Sequence, residues 1–127
     1  MVTVSVSIDV PSLEQGIAFY STAFGFAKVA APYPGVALLR ADETTICLLE
    51  KQAGSKPSPN TAQTRTYERH WTPVHVDFHV DNFSEAVERA VAAGAVVEQK
   101  FDNPKFGSAA FCSDPFGHGF CLIERKR

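Results

Sequence analysis

Hydrophobic and polar residues alternate at every second position in two separate stretches of the chain, Val4–Val10 and Val74–Val80. The stretches align after a shift of 70 residues. Strict alternation is typical of a β-strand that has one buried face and one polar face. The polar face of the second strand then carries His75, Asp77 and His79, and the matching positions of the first strand carry Ser5, Ser7 and Asp9.

A helical period follows each of these strands. Ser12 and Asn82 each precede a run of apolar residues at helical spacing, and a Gln or Glu stands three positions later, which is the pattern of a capping box. Gly25 and Gly94 stand where the two helices are expected to end. After each glycine come a strand-like stretch, a turn rich in Pro and Gly, and a hairpin. The pattern therefore predicts the order βαβββ twice.

The two predicted modules also end alike, in Ile46–Glu50 and Phe120–Glu124. We predict an α+β fold in which tandem βαβββ modules form an open, cup-shaped mixed sheet. The chain is expected to be a single domain over residues 1–127, with module one at 1–50, a polar linker at 51–69 and module two at 70–127. Alternation places Cys47 and Cys121 on the polar, concave side of the last strands.

Two segments, Asp9–Tyr20 and Asp114–Glu124, together with the repeated module, resemble the vicinal oxygen chelate superfamily. This superfamily includes glyoxalases, extradiol dioxygenases, fosfomycin-resistance enzymes and bleomycin-binding proteins. The resemblance implies a cup-shaped sheet that holds a small molecule and, commonly, a homodimer. In the metalloenzymes of the superfamily, the ligands come from the first and last strands of each module. Those positions here are Ser5, Cys47, His75 and Cys121, of which only His75 has the usual ligand type.

Three hypotheses address the centre of the predicted cup. First, His75, Cys121 and Cys47 could hold a divalent metal, with Zn²⁺ favoured by two thiolates and an imidazole; alternatively both cysteines are half-buried apolar residues and no metal binds. Second, a bulge could turn Glu50 and Glu124 inward, although regular alternation makes them solvated charges at strand ends. Third, His75, Asp77 and His79 could bind a polar ligand or move a proton, or simply form a hydrogen-bonded cluster.

Aromatic residues supply the remaining candidates. By resemblance to the fosfomycin-resistance pattern, Phe111 faces the cup. Trp71 stands just before the strand that begins near His75, where the lip of the cup is expected. The Trp71 side chain could stack on a planar ligand or pack at a dimer contact. Phe116 and His118 fall in a predicted turn and are expected to be exposed, whereas Cys112 is expected to be buried. The ligand-binding residues are thus predicted to be Ser5, Ser7, Trp71, His75, Asp77, His79 and Phe111.

Composition narrows the class of protein. The chain has 127 residues with 12 basic and 14 acidic side chains, and a net charge of −2 gives no basis for binding a nucleic acid backbone. No apolar run approaches the roughly 20 residues of a membrane helix, and the first residues do not resemble a signal peptide. Three cysteines in a chain of this size favour reduced thiols and a cytoplasmic location.

The sequence therefore predicts a small-molecule binding protein of the glyoxalase/bleomycin resistance/dioxygenase superfamily with a degenerate metal site. A metal-dependent lyase, isomerase or dioxygenase of the glyoxalase type is the first alternative, so that enzymatic activity stays open. A non-catalytic module that binds a protein partner is the second.

Overall fold

A computed structural model describes residues 1–125, so that the last two residues of predicted module two lie outside the described residues. The chain divides into two compact units, the first spanning Met1–Tyr67 and the second beginning at Glu68. The predicted linker thus belongs mostly to the first unit. No helix in residues 1–125 combines the length and the apolar character that crossing a membrane requires.

The first unit contains one helix and one four-stranded sheet. The sheet order is β1-β4-β3-β2, in which β1 runs parallel to β4 and the other pairs are antiparallel. The elements are β1 Val6–Val10, α1 Leu13–Phe24, β2 Ala27–Ala30, β3 Val36–Ala41 and β4 Thr44–Glu50.

The second unit repeats this arrangement. Its four-stranded sheet has the order β5-β8-β7-β6, with β5 parallel to β8 and antiparallel pairs elsewhere. The elements are β5 Val76–Val80, α2 Phe83–Ala93, β6 Val96–Asn103, β7 Gly107–Ser113 and β8 Gly119–Glu124. The predicted α+β class with tandem βαβββ modules is therefore confirmed.

The predicted capping residues set the helix ends. The side chain of Ser12 accepts a hydrogen bond from the Gln15 amide, and that of Asn82 accepts one from the Glu85 amide. Helix α1 ends at Gly25, whose φ of 75° lies in the left-handed region that glycine adopts without a steric penalty. Helix α2 ends before Gly94, whose φ of 121° is also positive but lies outside the left-handed helical region.

Each helix covers the apolar face of its own sheet. The most deeply buried side chains of the strands are those that alternation assigns to this face, among them Leu39, Ile46, Leu48 and Leu122. Helix α1 lies very close to its sheet at Gly16, where a Cβ atom would stand 2.9 Å from Val10. A side chain at this position would push the helix away from the sheet.

The outermost strand of each hairpin is irregular. Strand β2 shifts register between Lys28 and Ala30, and β6 shifts register between Val97 and Gln99. Both strands are edge strands of their own sheets, and most of their residues are exposed. Such bulges bend a strand and interrupt its ladder of hydrogen bonds.

The segment that joins the two modules is held against the first unit by Arg65. Its Nε donates to Asp9 Oδ2 at 2.7 Å, and its Nη1 donates to Ser55 Oγ and to the Lys56 carbonyl. The Tyr67 hydroxyl donates to the carbonyl of Lys51 at 2.6 Å. Residues 51–67 therefore fold over the first unit although they contain no strand or helix.

Candidate functional site

The polar face of the second sheet is the side that α2 leaves uncovered. Strand register places Asp77 beside Cys121 and Cys121 beside Phe111, and Phe111 is in turn paired with Gln99 on the edge strand. All four residues have the same parity along their strands, so their side chains share one face. A row that consists of a carboxylate, a thiol, an aromatic ring and an amide thus crosses the middle of the sheet.

Three potential metal-ligating side chains meet at one end of this row. The ligand atoms of His75, Asp77 and Cys121 all lie within 4.8 Å of one another. His75 Nε2 is 3.1 Å from Asp77 Oδ1, and both side chains are about two-fifths exposed, at 39% and 42%. His75 itself directly precedes β5, so the strand fixes its direction without burying it.

The thiol of Cys121 is protonated at neutral pH. Burial raises its pKa, and the charge of Asp77 together with the hydrogen bond to that carboxylate raises it further, to about 11. A thiolate is the form that binds a metal ion. A cation between these three residues would therefore have to displace the thiol proton.

Aromatic and apolar side chains border the three ligating residues. The ring of His75 lies 5.8 Å from that of Phe111, at an interplanar angle of 32°. The next row of the sheet contains His79, Ile123, Ala109 and Phe101, of which Phe101 is about half exposed. The face thus offers polar groups on β5 and hydrophobic contact on the strands beyond it.

An ion pair covers the same face at the start of β8. The Arg69 guanidinium donates from Nε to Glu98 Oε2 at 2.7 Å and from Nη2 to Glu98 Oε1 at 3.0 Å. It lies directly over Gly119, where a Cβ atom would stand 2.9 Å from Nη2. This pairing raises the pKa of Arg69 and lowers the pKa of Glu98, mainly through the hydrogen bonds between them.

The corresponding face of the first unit has fewer side chains that could bind a metal ion. Ser7 is paired with Cys47, which is paired with Leu38, so a hydroxyl stands where the second unit has Asp77. Asp9 lies on the same face, and its carboxylate binds Arg65. Ser5 precedes β1 and is exposed. Cys47 is half-buried, and its role as a metal ligand stays a prediction.

The two strand-end glutamates have structural partners. Glu50 Oε2 accepts a hydrogen bond of 2.7 Å from the Leu13 amide at the start of α1. Glu124 Oε2 accepts one of the same length from the Ser108 amide. The regular register of Glu50 with Val10 and of Glu124 with Val80 leaves no bulge that would turn either side chain inward. Glu50 is exposed, as expected for a solvated charge at a strand end, and Glu124 is half-buried.

The structure confirms the predicted burial of Cys112 and contradicts the predicted exposure of two residues in the turn between β7 and β8. Cys112 is completely buried, as predicted, and burial raises its pKa to about 11. Trp71 is 79% exposed. The prediction that Phe116 and His118 are exposed is wrong, because Phe116 is only 3% exposed and His118 is half-buried. The buried carboxylate of Asp114 accepts from both of their amides and turns the loop inward.

Sequence reasoning placed Asp77 in the polar trio but did not include it among the metal ligands. The available signal was parity, since Asp77 follows His75 by two positions and falls in register with Cys121. The Arg69–Glu98 pair carried no such signal, because Arg69 belongs to a segment without regular structure. His79, although on the same face, is exposed and one row farther along the strand.

The donor set fits a divalent transition metal. One imidazole, one carboxylate and one thiol are the ligand types found around Zn²⁺, and catalytic zinc sites commonly use three protein ligands with a fourth position open. The mutual distances within 4.8 Å require only small side-chain adjustments to surround one ion. Asp77, His75 and Cys121 are therefore a candidate metal centre.

Comparison with known proteins identifies a matching family model and several similar structures. Residues 5–123 match a family model described as a glyoxalase-like domain. No match was found among curated protein sequences.

Several solved structures share the fold. A glyoxalase-related enzyme from Fulvimarina pelagi has 19% identity and a TM-score of 0.71, covering 97% of this chain and 87% of that one. A lactoylglutathione lyase from Agrobacterium tumefaciens has 19% identity and a TM-score of 0.65, with coverages of 97% and 92%. A variant of the fosfomycin resistance protein FosX from Listeria monocytogenes, in complex with Mn(II) and 1S,2S-dihydroxypropylphosphonic acid, has 19% identity, a TM-score of 0.72 and coverages of 97% and 90%.

Proposed function

The chain belongs to the glyoxalase-like domain family, and on that premise we propose that it binds a small molecule on the polar face of its second sheet, next to a divalent metal held by His75, Asp77 and Cys121. The observation that carries the proposal is the convergence of these three ligating atoms within 4.8 Å at the surface of an otherwise mixed polar and aromatic face. Zn²⁺ is the ion we expect, because a thiolate ligand favours it over Mn²⁺ or Mg²⁺.

The surroundings define the class of ligand. Phe111 and Phe101 offer aromatic contact, while His75, Asp77 and His79 offer hydrogen-bonding groups on the neighbouring strand. This combination suits a small, partly aromatic or amphipathic molecule that carries oxygen donors. Such a metal ion, when bound, would supply a Lewis acid that polarises an oxygen atom of the ligand. The remaining predicted ligand-binding residues, Ser5, Ser7 and Trp71, stay predictions.

In this arrangement Asp77 has two roles. Its carboxylate accepts a hydrogen bond from the Cys121 thiol and stands 3.1 Å from His75 Nε2, so it orients both of the other ligating groups. Phe111 packs near the His75 ring and restricts its rotation. The face is therefore preorganised around Asp77.

Metal content tests the proposal directly. Natively purified protein, and protein dialysed against Zn²⁺ and then desalted, should retain about one zinc per chain by elemental analysis. Cys121→Ser should lose this zinc. Cys47→Ser is the matched control, because it removes a repeat-equivalent thiol outside the three-residue group, and it should retain the ion. Zinc retained by Cys121→Ser, or lost by Cys47→Ser, would contradict this ligand set.

Ligand binding needs its own measurement. Quenching of the intrinsic fluorescence of Trp71 by a panel of aromatic and hydroxylated acids should identify binders, and Phe111→Ala should weaken them. Catalysis by the same site is the second candidate function, favoured by the carboxylate of Asp77 beside an open metal position. Glyoxalase and aromatic ring-cleavage assays with the zinc-loaded and Asp77→Asn proteins test it.

The resemblance to the superfamily also implies a homodimer. Light scattering after size exclusion tests this implication, and a cytoplasmic location is tested by fractionating the source cells. Neither result changes the assignment of the metal ligands, because all three come from one unit of one chain.

A further inference from the structure

Two imidazoles outside the proposed metal centre meet at the turn between β7 and β8. His70 Nε2 and His118 Nδ1 are 2.9 Å apart, and the ring centroids are 4.8 Å apart with an interplanar angle of 80°. Neither residue belongs to the group formed by His75, Asp77 and Cys121.

The protein fixes the tautomer of one ring. His70 Nδ1 lies 2.9 Å from the backbone carbonyl of Glu68, and a carbonyl can only accept a hydrogen bond. In the neutral ring, Nδ1 therefore carries the hydrogen and Nε2 carries a lone pair that faces His118. Histidines that bind metals usually have this second hydrogen bond, which orients the ring and makes its other nitrogen a better ligand.

We propose that His70 and His118 form a second, independent metal-binding site that chelates a transition ion such as Ni²⁺ or Cu²⁺ through Nε2 of His70 and Nδ1 of His118. Two nitrogens at about 2.0–2.1 Å from one ion lie about 2.9 Å apart when the angle at the ion is near 90°, whereas a tetrahedral angle needs about 3.4 Å. The observed 2.9 Å matches the right angle. Square-planar and octahedral ions have this angle, so the site favours Ni²⁺ and Cu²⁺ over tetrahedral Zn²⁺.

Binding requires His118 to change its tautomer. The hydrogen on His118 Nδ1, which is donated to His70 in the absence of an ion, passes through solvent to Nε2 of the same ring. Both imidazoles remain neutral, each gives one lone pair to the ion, and water completes the coordination. His118 is half-buried, so that solvent reaches it.

The backbone around the pair is already fixed. The His70 amide donates to the carbonyl of Gly117 at 3.1 Å, and the His118 amide donates to Asp114 Oδ1 at 3.0 Å. The Asp114 amide donates in return to the His118 carbonyl at 2.9 Å. The two rings are thus brought together by main-chain bonds that do not depend on an ion.

The local charge suits a cation. Arg69, the neighbour of His70, is paired through two hydrogen bonds with Glu98, so its positive charge is compensated. Asp114 is 4% exposed and contributes a further negative charge on the other side of the turn. The carboxylates of Glu98 and Asp114 both interact with Arg69 and so offset its positive charge next to the imidazole pair.

Titration calorimetry of metal-stripped protein with NiCl₂ tests the proposal. The native chain should bind two Ni²⁺ ions, one at each site. His118→Asn and His70→Gln should each bind one, with the lost ion weakened at least tenfold, and Cys121→Ser should keep the ion at the imidazole pair. Asp42→Asn is the control, because it removes an exposed oxygen ligand of the first unit that belongs to neither group, and it should still bind two ions. Circular dichroism checks that each variant is folded.

The outcomes separate this proposal from the proposed function. If His118→Asn and His70→Gln bind Ni²⁺ with the same stoichiometry and affinity as the native chain, the second site does not exist. If the native chain binds one ion that only Cys121→Ser loses, the imidazole pair is again excluded. If the native chain binds one ion, and His118→Asn loses this ion whereas Cys121→Ser retains it, the result would support the imidazole pair and contradict the first metal centre. With Cu²⁺, electron paramagnetic resonance should show nitrogen couplings that disappear in His118→Asn.

Discussion

The thiol of Cys121 donates a hydrogen bond to the carboxylate of Asp77, its direct partner across the parallel strands β5 and β8. The same carboxylate lies 3.1 Å from His75 Nε2. Asp77 therefore adds to the effect of burial, which is the larger cause, in keeping the thiol protonated. Four predictions follow from this pair and from two other contacts.

Replacing Asp77 with Asn should lower the pKa of Cys121. The substitution removes the negative charge and the hydrogen bond to the carboxylate, whereas burial, the largest cause of the shift from 9.0 to about 11, remains. The pH dependence of alkylation by iodoacetamide, measured in a Cys47→Ser background, reports this pKa because Cys112 is fully buried. Asp42→Asn is the control, since it removes a charge at a turn of the first unit whose φ of 51° suits Asn. An unchanged alkylation profile in Asp77→Asn would contradict the role of the carboxylate.

Zinc binding to the proposed centre should strengthen as pH rises. The Cys121 pKa of about 11 means that one thiol proton must leave for each ion bound at neutral pH. The apparent Kd should therefore fall about tenfold per pH unit between pH 7.5 and 9, and the gain should end as pH passes the thiol pKa. Competition with a chromophoric chelator measures it. A Kd that is independent of pH over this range would show that the thiol is not a ligand.

Gly119→Ala should displace Arg69. The new Cβ would stand 2.9 Å from Nη2, so the guanidinium must move and its fork on Glu98 opens. Because the pair is about one-third exposed, the free energy of unfolding should fall by about 0.5–1 kcal/mol. Urea unfolding measures the loss, and a double-mutant cycle with Glu98→Gln isolates it. Full additivity in the cycle would mean that the new methyl group acts elsewhere.

Arg65→Ala should release the segment 51–67 from the first unit. The guanidinium is 15% exposed and binds Asp9, Ser55 and the Lys56 carbonyl, so the variant should lose about 2 kcal/mol of stability, mostly because the ion pair with Asp9 is lost. Arg65→Lys should lose less stability, because its ammonium group keeps the positive charge although it lacks the planar guanidinium that reaches several acceptors. Hydrogen exchange at the amides of Gly54 and Arg65, whose backbone bonds join the two ends of the segment, measures the release. Unchanged protection in Arg65→Ala would contradict the interpretation.

The sequence was sufficient to predict the two βαβββ modules because the patterns that indicate helix ends and strand faces involve only neighbouring residues. Ser12 and Asn82 act within a single turn, Gly25 and Gly94 end helices through their own backbone angles, and strand parity follows from a period of two. For the same reason the polar face of β5 was predicted without any knowledge of its neighbours.

The parts of the site that were not predicted depend on contacts between distant segments. Arg69 reaches Glu98 across 29 positions of the chain, and His70 reaches His118 across 48. The spacing of hydrophobic and polar residues along the sequence does not predict such pairs. The inward turn of Phe116 and His118 was missed because it depends on a buried Asp114 whose proline and glycine neighbours otherwise indicate an exposed turn.

The bulges in β2 and β6 also affect how the protein behaves at high concentration. A straight, exposed edge strand can pair with another molecule and begin aggregation, and a shift in register disrupts that template. Strand β6 adds charges of both signs, from Glu98, Lys100 and Asp102, along the same edge. The irregular β2 and β6 edges are therefore poor templates for pairing with a strand of another molecule, although they are exposed.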